Sequence, residues 1–106
     1  LIGACGLTYI DWIARNADFS FYIGKDRKYI DEVYATNATN LLLKYGFNEL
    51  NLNKIWMELY EFDHAKIDFF TKNFGFEVDG KLRQNCYFDG EYFDSFIISL
   101  LKDDFA

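Results

Sequence analysis

What most limits the folds open to this chain is the way its apolar residues change spacing. In residues 16–24, NADFSFYIG, the sides alternate: Phe19, Phe21 and Ile23 fall on one face and Asp18, Ser20 and Tyr22 on the other. That is the signature of a half-buried strand. Residues 34–50 then set Ala38, Leu41, Leu42 and Tyr45 at helical spacing, the pattern of a helix with one apolar stripe. Residues 54–60, KIWMELY, return to alternation with Ile55, Met57 and Leu59 on one face. Strand, helix, strand implies a crossover between parallel neighbours.

The flanking segments complete a mixed sheet. Residues 1–11, LIGACGLTYID, are an apolar run bounded by polar residues, which suits a buried strand antiparallel to the next across the short WIAR connection. Residues 64–73 read as a second helix with Ile67 and Phe70 inward. Asp63 is its expected N-cap, a carboxylate able to receive the free N–H groups of the first turn, and Gly75 fits its end. The strands KLRQNCYF and YFDSFIISLL flank Asp89-Gly90, a dipeptide whose tolerance of positive φ marks a hairpin. The predicted order is β-β-α-β-α-β-β, an α/β (α+β) three-layer domain. A length of 106 residues allows one domain. With 51% apolar and 21% aromatic residues it can build a core, and with no proline it offers no evident linker.

Charge narrows the function classes. The 17 acidic residues against 11 basic ones give a net −6, which argues against nucleic acid, whose affinity rests on Lys and Arg contacts to phosphate. No apolar run reaches the roughly 18 residues of a membrane span, and no signal peptide is visible. Cys5 and Cys86 could pair, but in apolar, strand-like contexts they read as two free thiols in a reducing, cytoplasmic compartment. Two distant Cys and one His make no metal site. His64, in the first turn of a helix, has no nucleophile or orienting partner nearby in sequence and reads as a surface residue. The paired acids Asp31-Glu32 and Asp103-Asp104 read as solvated. The aromatic stripes at 69–76 and 87–96 are core, or in part the wall of a cleft.

One junction invites a ligand. The loop at 30–36 leads from a strand into a helix, whose N-terminal N–H groups and partial positive charge attract anions. Its side chains are unfavourable for anion binding, since Asp31, Glu32 and Val33 supply two acids and a β-branched residue, and no glycine.

Taken together, FYIG, NLLLKYGFNELNLNKIWMELYEFD and GFEVDGKLRQNCYFDGEYFDSFIISLL resemble the GNAT superfamily of N-acetyltransferases, nearest to its ribosomal-protein N-terminal and amino-sugar branch. The resemblance spans nearly the whole chain and lies in scaffold signatures. It implies that the chain, which starts at Leu1, begins at the family's third strand and lacks the strand, two helices and strand before it. It implies a V-shaped splay between strands 18–24 and 54–60, with acetyl-CoA as cosubstrate seated there. The pantetheine arm would run along Phe21, Tyr22 and Ile23, and the pyrophosphate would sit at Val33, Tyr34, Ala35 and Thr36.

The chain also departs from the family pattern. Ile30 stands where the family has Arg or Gln, and Val33 where it has glycine; Tyr34-Ala35-Thr36 fits. A glycine lets the backbone approach phosphate closely, and carboxylates at Asp31 and Glu32 oppose it. Phe70, or Thr71 after a one-residue shift, occupies the place of a tyrosine that protonates the departing thiolate. Asp63 replaces a helix-capping asparagine among the cofactor-side positions. Asp18 matches an acidic position and is the candidate to deprotonate the amine, beside the alternative of a solvated strand residue. The implied activity is direct transfer of an acetyl group to a primary amine, on a protein N-terminus or an amino sugar, without a metal. The alternative is a GNAT-fold binding or assembly module that has lost catalysis. A homodimer is compatible with either.

Overall fold

The computed structural model describes residues 3–23 and 32–105, with residues 3–5, 21–23 and 32–35 as backbone. Ile30 and Asp31 of the predicted phosphate loop lie outside the described residues. The elements are β1 (Gly3–Asp11), β2 (Asn16–Ile23), α1 (Glu32–Lys44), β3 (Lys54–Tyr60), α2 (His64–Phe74), β4 (Glu77–Phe88) and β5 (Glu91–Leu101), with a π-helical turn, Tyr45–Glu49, after α1. The predicted order and the α/β (α+β) class hold. The sheet runs β1-β2-β3-β5-β4. Among the described residues only β2 and β3 are parallel; the other pairs are antiparallel. Ile55, Met57 and Leu59 of β3 join Ala17, Phe19, Ile98 and Leu100 in one core with Leu43, Phe47, Leu52, Phe69, Phe70 and Phe76. Of the three expected layers the described residues supply two, the sheet and a helical layer on this core face.

The first helix departs from its sequence reading. It begins at Glu32 rather than 34 and stops being α-helical at Lys44, not 50. Its inner face is also rotated. Leu41 is 71% and Tyr45 52% exposed, while Thr39, Leu43, Gly46 and Phe47 are buried. Thr39 and Leu43, four residues apart, share the face toward the core, and Leu41, two residues from each, falls on the opposite face; past Lys44 the wide π-helical turn seats Gly46 and Phe47 on the sheet. A Cβ on Gly46 would stand 2.8 Å from Ile55 Cδ1 and 3.1 Å from Leu7 Cδ1. Glycine at this position allows the close approach.

The two ends of α2 differ in how they meet expectation. Gly75 ends the helix in the left-handed conformation (φ 79), its N–H donating to the Phe70 carbonyl, as expected. Asp63 does occupy the N-cap position, but its side chain makes no cap bond. Its Oδ2 accepts the Tyr60 N–H at 3.2 Å, and its carbonyl accepts the N–H groups of Lys66 and Ile67, each at 3.0 Å. The carboxylate therefore braces the turn from β3 into α2. The hairpin at Asp89-Gly90 has φ 53 and 83, both positive as the dipeptide implied. β4 starts at Glu77, earlier than predicted, because register breaks at Val78/Gly80 and Leu82/Cys86 interrupt its alternation.

Candidate active site

The parallel pair is short. Its described partners are Asn16↔Lys54, Ala17↔Ile55 and Asp18↔Trp56, and there the ladder ends although both strands continue. Phe21, Tyr22 and Ile23 still pair on their other side with Cys5, Ala4 and Gly3. β3 stays paired with β5 as far as Tyr60↔Ser95. The two strands thus part beyond Asp18, exposing facing edges of backbone N–H and C=O groups. A groove with a free strand edge is suited to an extended ligand that pairs through its amides.

A cleft of about 360 Å³ occupies the fork. Asp18 and Ser20 come from β2, Met57, Glu58 and Tyr60 from β3, and Asp63, Lys66 and Phe70 from α2 and the turn before it. Phe70, 1% exposed, packs edge-on against Phe19 with ring centroids 5.7 Å apart, and touches Phe69, Phe74 and Phe76. The rings form an apolar wedge at the floor of the fork. Phe70 offers shape there and no transferable proton.

Three predicted site residues, Asp18, Asp63 and Phe70, are brought together. Val33, Tyr34, Ala35 and Thr36 lie elsewhere, in the first turns of α1. With the helix starting at Glu32, the unpaired N–H groups are those of its first turn, and Thr36 sits one turn inside, where its N–H belongs to the helical ladder. His64 is exposed and does not line the cleft.

The sequence reading missed Glu58 and Tyr60. The alternation of KIWMELY carried the signal, because residues between Ile55, Met57 and Leu59 must face the other side. Glu58 Oε2 accepts Ser95 Oγ at 2.6 Å and Asn85 Nδ2 at 2.8 Å. Partial burial raises the Asp18 carboxyl above its ordinary value, and the charge of Glu58 raises it further. The Tyr60 phenol is raised too, by burial first and then by Glu58, Cys86 and Asp63, so it keeps its proton at neutral pH. The cleft therefore holds a carboxylate of increased basicity, a second acid and a protonated phenol. Tyr60 stacks on Phe62, which stacks on Phe88. Among the described residues no group of three or more His, Cys, Asp or Glu could hold a metal, and no helix is long and apolar enough to cross a membrane.

The sequence matches the family profile described as Acetyltransferase (GNAT) domain over residues 1–97. The chain belongs to the GNAT acetyltransferase family. Among curated relatives it is 30% identical over 106 residues to an uncharacterized N-acetyltransferase, p20, of Bacillus licheniformis, covering all of this chain and 58% of the relative. It is 31% identical over 90 residues to the spermidine N(1)-acetyltransferase of Escherichia coli K12, covering 85% of this chain and 47% of that one. The F149A mutant of spermidine N-acetyltransferase from Vibrio cholerae superposes with a TM-score of 0.88 at 26% identity, covering 97% of this chain and 59% of that structure. This GNAT chain thus spans about half the length of the curated relatives it matches. The fork between β2 and β3 is the splay that the family resemblance implied.

Proposed function

We propose that this GNAT domain transfers an acetyl group from acetyl-CoA to a primary amine, and that the acceptor is a small polycationic amine of the polyamine class. The observation that carries this reading is the fork, in which a free strand edge and two carboxylates, Asp18 and Glu58, meet in one cleft. The strand edge from Phe21 to Ile23 suits the amide-bearing arm of the cosubstrate, and the first turn of α1 suits its phosphates. The carboxylates suit an ammonium group, which opposite charge attracts to a partly buried site. The names of the spermidine N-acetyltransferase relatives favour a polyamine over the protein N-terminus or amino sugar expected from sequence.

The chemistry follows from the groups present. Asp18, more basic than an ordinary carboxylate, takes the proton of the acceptor amine. The neutral nitrogen attacks the thioester carbonyl, whose oxygen is received by backbone N–H near Tyr22 or Ile23. The new C–N bond forms and the C–S bond breaks. The nitrogen, cationic after attack, gives up its excess proton, which passes through the Tyr60 phenol or water to the departing thiolate, since Phe70 has no proton to give; Asp18 releases its own to solvent. General acid–base groups of this kind contribute about 10²–10⁴ in rate; the remainder comes from holding amine and thioester together.

Two measurements test the reading. Calorimetric titration with acetyl-CoA is expected to give micromolar binding. Thiol release is then followed with spermidine, an alanyl-terminated peptide and glucosamine, with spermidine expected to be the best acceptor. Preference for the peptide or the sugar would overturn the acceptor class. Absence of acetyl-CoA binding would favour a non-catalytic binding module, the outcome to which the acids at Asp31 and Glu32 point.

A further inference from the structure

The strand β4 contains a device that the acetyl-transfer reading leaves unexplained. Its register with β5 breaks between Leu82 and Cys86, and Gln84 within the break has φ 50. Such a bulge costs ladder bonds and re-aims side chains, so it persists where something holds it. Here the Gln84 N–H donates to Asp94 Oδ1 at 2.8 Å, the Asp94 N–H donates to Glu61 Oε1 at 2.8 Å, and Lys81 Nζ lies 3.6 Å from Asp94 Oδ2. The bulge is fixed to β5 and to the turn after β3.

What the bulge delivers is Asn85. Its Nδ2 lies 2.8 Å from Glu58 Oε2 and 3.3 Å from Ser95 Oγ. Ser95 is fully buried and donates its own hydrogen to the same Glu58 oxygen at 2.6 Å. Residues of two strands therefore converge on one carboxylate oxygen of a third. Asn85 is itself exposed, so its amide could have been satisfied by water at no cost. Both described donors fall on Oε2, which leaves Oε1 as the oxygen available to a ligand.

We infer that Asn85, presented by the β4 bulge, and Ser95 are positioning residues that fix Glu58 to bind the acceptor amine. The inference rests on the acetyl-transfer reading and adds residues to its acceptor side. A carboxylate loaded on one oxygen cannot rotate freely, so it meets an ammonium without first losing rotamer freedom. The bulge is thus a specificity element on the acceptor side of the cleft.

Steady-state kinetics on the protein, with the best acceptor among spermidine, the alanyl-terminated peptide and glucosamine, tests this. Asn85→Ala is expected to raise the amine KM about tenfold, the loss associated with one hydrogen bond to a charged group. Both kcat and the acetyl-CoA KM should stay within about twofold of the parent. Ser95→Ala should act in the same way, and Ser95→Thr, which retains the hydroxyl, should restore the amine KM. In a Glu58→Gln background Asn85→Ala should have no further effect, because the residue acts only through Glu58. An unchanged amine KM in Asn85→Ala, or an equal loss in the Glu58→Gln background, overturns the inference while leaving acetyl transfer intact. A rise in both KM values with a fall in Tm assigns Asn85 to the scaffold and overturns it as well. A parent protein that binds no acetyl-CoA and acetylates none of the three amines overturns the acetyl-transfer reading, and this inference with it.

Discussion

At the closed end of the β2–β3 pair, Asp79 Oδ2 receives Ser99 Oγ at 2.6 Å and lies 3.0 Å from Lys54 Nζ. These two partners, Ser99 first, hold its carboxyl below the ordinary value. At the open end Asp18 has no cation as its leading influence. Burial and Glu58 hold its carboxyl above the ordinary value. The same residue type thus serves as a fastening at one end and is held in a disfavoured charged state at the other. The closed end carries further fastenings: the Arg15 carbonyl accepts the N–H groups of Asn53 and Lys54 at 2.7 and 3.2 Å, and the Asn53 carbonyl accepts that of Lys102 at 2.8 Å. A scaffold joined so firmly at one end can leave the other apart for a ligand. It can also tolerate two acids there, which is consistent with function drawing on locally unfavourable arrangements.

Asp18→Asn breaks the contrast most directly. If Asp18 is the base, kcat is expected to fall by about 10²–10⁴-fold. Stability should move the other way. Because the folded carboxyl value is raised, ionised Asp18 disfavours the fold as pH climbs from the unfolded value of 3.8 through the raised one. Below 3.8 the group is protonated in both states and the penalty vanishes. The variant should therefore gain Tm relative to the parent as pH rises through that window and match it in acid. A parent that becomes the more stable of the two toward neutral pH would show that Asp18 is a fastening after all.

Phe70→Ala removes a ring from the floor of the fork. The ring is 1% exposed and contacts four other phenylalanines, so its removal is expected to cost about 3–5 kcal/mol in denaturant unfolding. A loss under about 1 kcal/mol would mean that the fork collapses without strain to fill the space. Gly46→Ala tests the closed side. Its new methyl would meet Ile55 Cδ1 at 2.8 Å, the end of a side chain that can turn aside, so the cost is expected at the low end of overpacking, about 1 kcal/mol. Unlike Phe70→Ala, it should leave the acetyl-CoA affinity of the folded protein unchanged; a change in that affinity would show that the two ends are coupled.

Much of this arrangement was legible in the spacing of residues. Alternation in KIWMELY placed Ile55, Met57 and Leu59 in the core, and strand-helix-strand order gave the one parallel pair. The reading failed where backbone geometry departed from a regular period. After Lys44 a π-helical turn leaves the α period, and within α1 the buried Thr39 gave no apolar signal to set against the exposed Leu41. The bulges in β4 hid the strand's true start and the aim of Asn85 at Glu58. Asp63 was recognisable as a cap position, but which N–H its carboxylate takes depends on the turn before it. Asp18 came from family resemblance. Glu58 was readable from alternation alone, yet the apolar face of the same strand carries the stronger signal and masked it.

The smallest effect gives the sharpest test of the two ends, because its sign is opposite. Asp79→Asn removes a charge that the fold favours. The lowered carboxyl value means that ionised Asp79 contributes stability above the unfolded value of 3.8, and that this contribution disappears as pH falls below 3.8 through the lowered one. Lys54 and Asp79 have side chains 36% and 39% exposed, so the pair is solvent-screened and the loss at neutral pH is expected to be about 1 kcal/mol or less. It should shrink further as added salt shortens the screening length. Measured beside Asp18→Asn, the variant should lie below the parent in Tm at neutral pH while Asp18→Asn lies at or above it, and the two curves should converge toward the parent in acid. Parallel curves of the same sign would mean that the two carboxylates share one role, and that the open end is no more specialised for a ligand than the closed one.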